Sequence, residues 1–459
     1  MSSQFATQMD YGAAALDLNV TKDLCSFLSS FTFEDLPEKA VHEGRRGVMD
    51  WIGCALAGSQ HPTITKLVGV LSDLGGASQA TVLGRQMKIG LLEAPIANGQ
   101  MGHVLDFDDT HMGGVVLHAS SPVLSALLAL SERSPFTGRD LIAAYCAGFE
   151  AGVRAGQGAP GHHAGGWHLT GTLGSIAAGA AAGKLLGLDA QQLTNALGIA
   201  ATQAAGMQQN RGTMCKSFHA GKAGSSGVLA ALLAQRGFDS SDEILEGKRG
   251  FCRIYSKDAA TELILDQLGE RWEITRNGHK PYACGVVLHP TIDAMIALAA
   301  KVPKNEHVVA IELRVNPLAV TITGVANPKT GLKSKFSLSH TAAVSFLDGA
   351  AGVAQYTDKR AFDPNVAALR ERVSARMDES LRKDQAWAAV VTQSGARYEH
   401  LVDHASGTVD NPMSDSAIES KFLANSSPVI GQERALRARD AIWSLDRLED
   451  VRDLLALCA

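Results

Sequence analysis

Apolar residues recur at helical spacing through the first half of the chain, and the pattern changes near residue 272. Within 38–57, Val48, Trp51, Ile52, Ala55 and Leu56 form one stripe, and Gly58 and Pro62 mark its end. The same spacing predicts helices over 21–33, 63–75, 90–105, 121–133, 138–156, 170–186, 190–206 and 219–236. Pro122 suits a first-turn position, and Gly187 and Gly237 are placed to close two of these helices. A short strand is expected at 80–83. Helix after helix with short loops implies an all-α domain.

Beyond 272, residues 307–315 alternate as a strand, and 388–392 with 397–403 read as a hairpin across Gln393 to Ala396. Helices are expected among these strands at 289–301, 338–348 and 363–374. After Gly407 helices return, at 414–424 and in two pieces over 431–458, and should pack back on the first domain. The expected fold is therefore mostly α. A large, discontinuous all-α domain (1–272 and 408–459) carries a smaller α+β domain (273–407).

Hydrophobic content of 46% with 19% charged residues fits a soluble globular chain, too long at 459 residues for one simple core. Aromatics are scarce at 5% and there are 46 glycines, so Ala, Leu, Val and Gly should build closely packed helices. A net charge of −5 argues against a nucleic-acid surface. Seven scattered cysteines with no CxxC pair suggest neither a disulfide framework nor a zinc knuckle. Residues 1–20 lack the basic and apolar runs of a signal peptide, and the most apolar stretch, 171–183, is too short to span a bilayer. A cytoplasmic protein without a membrane partner is expected.

The chemistry centres on Gly102-His103-Val104-Leu105-Asp106-Phe107-Asp108-Asp109-Thr110-His111, with His118 just beyond. Such a cluster is costly to pack unless its members pair, bind a metal or do chemistry. If the segment is helical, His103, Asp106 and Thr110 share a face and Asp108 and Asp109 point elsewhere. The plainer alternative is a helix end, with Asp108 or Asp109 as a cap. Charge distribution favours chemistry. From 151 to 238 the only acidic residue is Asp189, against Arg154, His162, His163, His168, Lys184, Arg211, Lys216, His219, Lys222 and Arg236. From 274 to 292 there is no acid, yet Arg276, His279, Lys280 and His289 are present. Long basic stretches in a net-acidic chain predict a local site for a small anion.

Five segments in order resemble motifs of the MmgE/PrpD family: the 102–110 stretch, Gly166-Trp167-His168, residues 212–221, Lys280-Pro281-Tyr282-Ala283-Cys284 with His289-Pro290, and Lys335-Phe336-Ser337. The resemblance covers nearly the whole chain. It implies a mostly helical domain, an α+β lid, a homodimer, and a site between the domains that works without metal or organic cofactor. It implies a lyase acting on a small di- or tricarboxylate. Dehydration of 2-methylcitrate is the first expectation, with decarboxylation of cis-aconitate or epimerisation of iminodisuccinate as alternatives. Asp106, His118, His168 and His340 are the implied catalytic residues, and Thr110, Lys216 and Lys280 the implied substrate-binding ones. His340 falls where dehydratases and decarboxylases of the family carry a tyrosine, and the two side chains differ in proton affinity by several pK units.

Residue types support this chemistry. Breaking a C–H or C–C bond beside a carboxylate builds up charge, which cationic donors such as Lys216 and Lys280 can absorb. Proton movement near neutrality suits histidine, with His118 and His168 as candidates. His289 and His103 read more readily as packed, hydrogen-bonded histidines. A magnesium site for a diphosphate needs a second acidic motif and an aromatic cavity, and neither is evident. An inactive family member that only binds polycarboxylates is the remaining alternative.

Overall fold

The computed structural model describes residues 19–459; up to residue 18, the stretch expected to lack a signal peptide lies outside them. The first half is helical: α1 (Val20–Ser30), α2 (Glu38–Ser59), α3 (Pro62–Leu74), α4 (Glu93–Val104), α5 (Ser120–Arg133), α6 (Gly138–Gln157), α7 (Leu169–Leu185), α8 (Ala190–Ala201), α9 (Met214–Gln235) and α10 (Phe251–Tyr255). Two short pairs interrupt it: a hairpin of β1 (Ala80–Val82) and β2 (Met87–Ile89), and β3 (Thr110–His111), which pairs far ahead with β4 (Asn277–Gly278).

The second half contains α11 (His289–Lys301), β5 (Val308–Val315), α12 (Pro317–Ile322), α13 (Gly331–Ser334), α14 (Leu338–Asp348), α15 (Asp358–Ala361), α16 (Pro364–Arg370), β6 (Val373–Met377), β7 (Ala386–Thr392) and β8 (Arg397–Val402). Its sheet runs β6-β5-β7-β8, with β5 and β6 parallel and the other pairs antiparallel. Three helices end the chain: α17 (Asp415–Ile430), α18 (Gln432–Trp443) and α19 (Val451–Cys458). They return to the helical half, α17 and α18 against α2 and α19 against α5. The fold is thus mostly α, a large helical domain with a smaller α+β domain.

Helix α7 is the centre of the helical half, packed by α5, α6, α8 and α9. Every residue of it except Lys184 is buried. Small side chains let the backbones approach: a Cβ at Gly227 of α9 would collide with Ala178 of α7. The apolar character of this stretch is therefore explained inside one chain, and does not require a second copy to cover it. Gly187 and Gly237 close their helices with φ of 68° and 82°, in the left-handed region that glycine enters freely.

Element ends depart from the pattern where caps decide them. Helix α9 begins five residues before the expected 219, because the Thr213 hydroxyl accepts the Cys215 N–H at 3.2 Å. That places Lys216 in its first turn. Helix α16 stops at Arg370, and residues expected to continue it form the parallel edge strand β6. That strand is largely exposed, so its sequence carries no alternating apolar signal. Among the described residues, no helix is long and apolar enough to cross a membrane.

Candidate active site

The acidic segment is not helical. Helix α4 ends at Val104, and Asp106 takes φ of 51°. This reverses the chain, so the expected shared face of His103, Asp106 and Thr110 does not form. Asp108 and Asp109 turn inward instead of away. The Asp108 carboxylate accepts from His103 Nδ1 at 2.9 Å and from the Ser121 hydroxyl at 2.9 Å, and lies 3.5 Å from His118 Nδ1. Asp109 accepts from the Ser120 hydroxyl at 2.5 Å and from the Asn277 amide. Its own N–H donates to Asp50.

Asp106 is the meeting point of the two expected lysines. Lys280 Nζ is 2.6 Å from one carboxylate oxygen and Lys216 Nζ 3.0 Å from the other. Burial alone would push the Asp106 carboxyl up, but Lys216 and Lys280, helped by His118 and His103, hold it well below the usual range. Lys280 comes from the strap after β4, which the β3–β4 pairing sews to the acidic segment through Thr110 and Gly278. Lys216 adds its charge to the N-terminal, positive end of α9. Two cations from distant segments thus share one carboxylate, an arrangement that an incoming carboxylate can enter by competition.

Imidazoles line the next position. His103 packs against the His118 ring at 4.7 Å and the His168 ring at 5.5 Å, and His168 Nδ1 meets His219 Nδ1 at 2.9 Å. Burial lowers His103 to about 4 against the pull of Asp108, and burial with neighbouring cations holds His168 well below its ordinary value. Both rings are therefore neutral near pH 7. His118 Nδ1 donates to the Asp109 carbonyl at 2.9 Å, which leaves Nε2 with its lone pair. Its side chain is 10% exposed, against 0% for His103, so it is the more accessible proton acceptor of the two.

Thr110 is buried in β3, and its hydroxyl has no hydrogen-bond partner among the described residues. His340 stands apart. Its Nε2 donates to the Gln355 carbonyl at 3.0 Å, and its charged neighbours are Arg370, Arg360 and Asp348 instead of Lys216 and Lys280. Burial lowers it to about 4. Of the other basic residues in the acid-poor stretch, Arg154 is absorbed by Glu150 and by backbone carbonyls, and Lys184 by the carbonyls of Ser29 and Phe31. The stretch therefore converges only in part.

Sequence reasoning missed three participants. Asp108 is expected to point elsewhere if the segment is helical, or to cap a helix, and neither reading gives it a place in the site. Lys335 belongs to one of the quoted motifs but was given no role; its Nζ is buried, 2.6 Å from the Leu105 carbonyl and 2.5 Å from that of Ala283. Lys421, on α17, pairs with Asp50 at 2.6 Å and had no local signal. Among the described residues, His103, Asp108 and His118 bring three possible metal-ligand atoms within 4.8 Å of one another, as do Asp384, His404 and Asp410.

Behind the site, His279 lies 3.1 Å from Glu43 and 4.0 Å from Asp50. Burial works against its charge, but Asp50 and Glu43 raise it to about 9. A raised folded pKa stabilises fully below the unfolded value of 6.5, and this contribution is lost as pH climbs from there through 9. Burial lowers Lys335 to about 8, which acts with the opposite sign, so the difference between wild type and His279→Gln isolates the imidazole. Urea unfolding between pH 6.5 and 9 should show wild type losing its advantage over His279→Gln as pH rises. A constant difference would contradict this.

The MmgE/PrpD N-terminal domain model matches residues 22–264, and the MmgE/PrpD C-terminal domain model matches residues 282–447. The chain belongs to the MmgE/PrpD family. It is 27% identical over 470 residues to a cis-aconitate decarboxylase of Aspergillus terreus, covering 95% of each chain. It is 25% identical to the cis-aconitate decarboxylase of Homo sapiens, over 96% of this chain and 94% of that protein. A 2-methylcitrate dehydratase of Cupriavidus necator is 24% identical over 75% of each chain.

Proposed function

We propose that this protein is a lyase acting on a small tricarboxylate, and that its reaction is loss of carbon dioxide from cis-aconitate or a close analogue. The observation that carries the substrate class is the convergence of Lys216 and Lys280 on Asp106 beside three imidazoles. Decarboxylation is preferred to the dehydration expected first because the similarity to cis-aconitate decarboxylases runs the length of the chain. Dehydration of 2-methylcitrate is the second reading, supported by relatives of that name.

In this reading the lysines hold two carboxylates of the substrate. Cleavage of the C–C bond releases carbon dioxide and leaves an electron pair on the carbon framework, next to the held carboxylates. The cations absorb that charge, and one proton is delivered to carbon. His118 and His168 are the proposed proton relay, each taking a solvent proton on a ring nitrogen and passing it on toward the carbon, Asp106 sets the two ammoniums, and Thr110 is proposed to contact the substrate. His340, held within the α+β domain by the Gln355 carbonyl, is given no proton-transfer step in this reading. We further propose domain boundaries at 272/273 and 407/408, a homodimer, a cytoplasmic setting, and no need of metal.

The test is ¹³C and ¹H NMR of purified protein with cis-aconitate and with 2-methylcitrate, in water and in deuterium oxide. We expect carbon dioxide from cis-aconitate, with one solvent deuteron entering the product. Water loss from 2-methylcitrate alone would replace this reading by the second, and inertness toward both would favour a binding protein. Dialysis against a chelator should leave turnover unchanged; loss restored by a divalent ion would overturn the metal-independent reading.

Replacement of either lysine removes a charge-assisted contact of about 1.5–3 kcal/mol. Lys216→Ala and Lys280→Ala should therefore each raise KM for cis-aconitate by roughly 10- to 100-fold. Steady-state kinetics with unchanged KM in both would exclude the anion-clamp role.

A further inference from the structure

Three consecutive carbonyls follow the last turn of α4, and each accepts from a different buried lysine. Lys335 Nζ donates to the Leu105 carbonyl at 2.6 Å, Lys280 Nζ to that of Asp106 at 3.2 Å, and Lys421 Nζ to that of Phe107 at 2.6 Å. The same ammoniums reach the strap. Lys335 donates to the Ala283 carbonyl at 2.5 Å, and Lys421 to the Lys280 carbonyl at 2.9 Å. Lys335 comes from the end of α13 in the α+β domain, and Lys421 from the C-terminal helix α17.

The arrangement has a physical cause. Carbonyls beyond a helix end have no intrahelical partner, and the negative end of the helix favours cations there. Asp106 is not glycine, so its φ of 51° is an uncommon backbone state that persists only where surroundings impose it. Neighbouring residues on both sides of Asp106 are held by an ammonium, and so are the carbonyls at 280 and 283.

We propose that Lys335 and Lys421 are positioning residues: by clasping the carbonyls that flank Asp106 to those of the strap, they hold the Asp106 carboxylate and the Lys280 ammonium in register. This rests on the reading of Asp106 and Lys280 as site residues. Neither clasp lysine is assigned a contact with the substrate. Lys335 is the cleaner probe, because its two hydrogen bonds go to carbonyls alone, whereas Lys421 also neutralises Asp50.

The experiment compares wild type with Lys335→Met, which keeps the shape of the stem, and Lys335→Gln, which keeps two N–H donors without charge. Hydrogen–deuterium exchange of the full chain is read by mass spectrometry without substrate, so it does not depend on the assigned reaction. In Lys335→Met, exchange should rise in peptides covering 103–111 and 277–285 and stay at the wild-type level in α6, α7 and α8. In Lys335→Gln the rise should be smaller. With cis-aconitate, kcat should fall on the order of 10²-fold in Lys335→Met, as for a misplaced reacting group. KM should stay within about threefold, because both clamping lysines remain. Wild-type exchange in both segments in a folded variant would overturn the proposal, as would a uniform rise across the chain. Should Lys335→Met not fold, the same criteria apply to Lys335→Gln. If exchange behaves as expected but Asp106→Asn keeps full turnover, the clasp stands and the reading of the site fails.

Discussion

Asp106→Asn should reduce kcat on cis-aconitate by about 10³-fold or more while leaving KM unchanged or lower, the magnitude expected for loss of a positioned acid–base group. The two effects have one origin. Asp106 is the shared counter-ion of Lys216 and Lys280, at 3.0 and 2.6 Å. Its removal frees both ammoniums for substrate carboxylates, so ground-state binding does not suffer. It also removes the group that fixes where those ammoniums stand, together with any proton that Asp106 itself moves. Asparagine is the appropriate replacement because it tolerates the left-handed backbone at this position. Alanine there would add a strain of roughly 1–2 kcal/mol and confuse stability with catalysis. Steady-state kinetics and calorimetric titration of cis-aconitate check the result. A raised KM with unchanged kcat would mean that Asp106 is a substrate contact and nothing more.

How much of this was legible in the sequence depends on the range over which each signal acts. The helices of the first half were legible because their signals are local: the apolar stripe of α2, and in α7, buried all round except at Lys184, the run of small residues closed by Gly187. The hairpin of β7 and β8 was legible for the same reason: Val391 pairs with Arg397 across the expected turn. Convergence of Lys216 and Lys280 was foreseen through the family motifs and the acid-free stretches. The conformation of 105–109 stayed open between a helix and a helix end. The helix does end, at Val104, and the ammoniums of Lys335 and Lys421 bind the carbonyls on either side of Asp106. No window around 106 contains them. His340 illustrates the reverse. Its standing where the family carries a tyrosine suggested the site, whereas its ring is held by the Gln355 carbonyl among Arg360, Arg370 and Asp348.

Lys421→Met should be the most destabilising single change at this site, lowering unfolding free energy by about 3–5 kcal/mol, as expected when one partner of a buried ion pair is removed. Asp50 is fully buried, and its other close charge is His279 at 4.0 Å. Loss of Lys421 would also strip the carbonyls of Phe107 and Lys280 of their donor. Asp50 matters to a further neighbour: burial first, and then Asp50, raise the Asp109 carboxyl to about 7. Asp50→Asn should therefore relieve Asp109 while keeping an acceptor for its N–H. It follows that Lys421→Met combined with Asp50→Asn should recover a large part of the lost stability, because the double variant buries no unpaired charge. What stays lost is the share due to the two carbonyls, roughly 1–3 kcal/mol for each group left unsatisfied. Urea unfolding of wild type, both single variants and the double variant at pH 7 completes the cycle, which isolates the coupling of residues in contact. Additive losses would show that Lys421 and Asp50 act independently and that the pair is not what holds α17 to α2 behind the site.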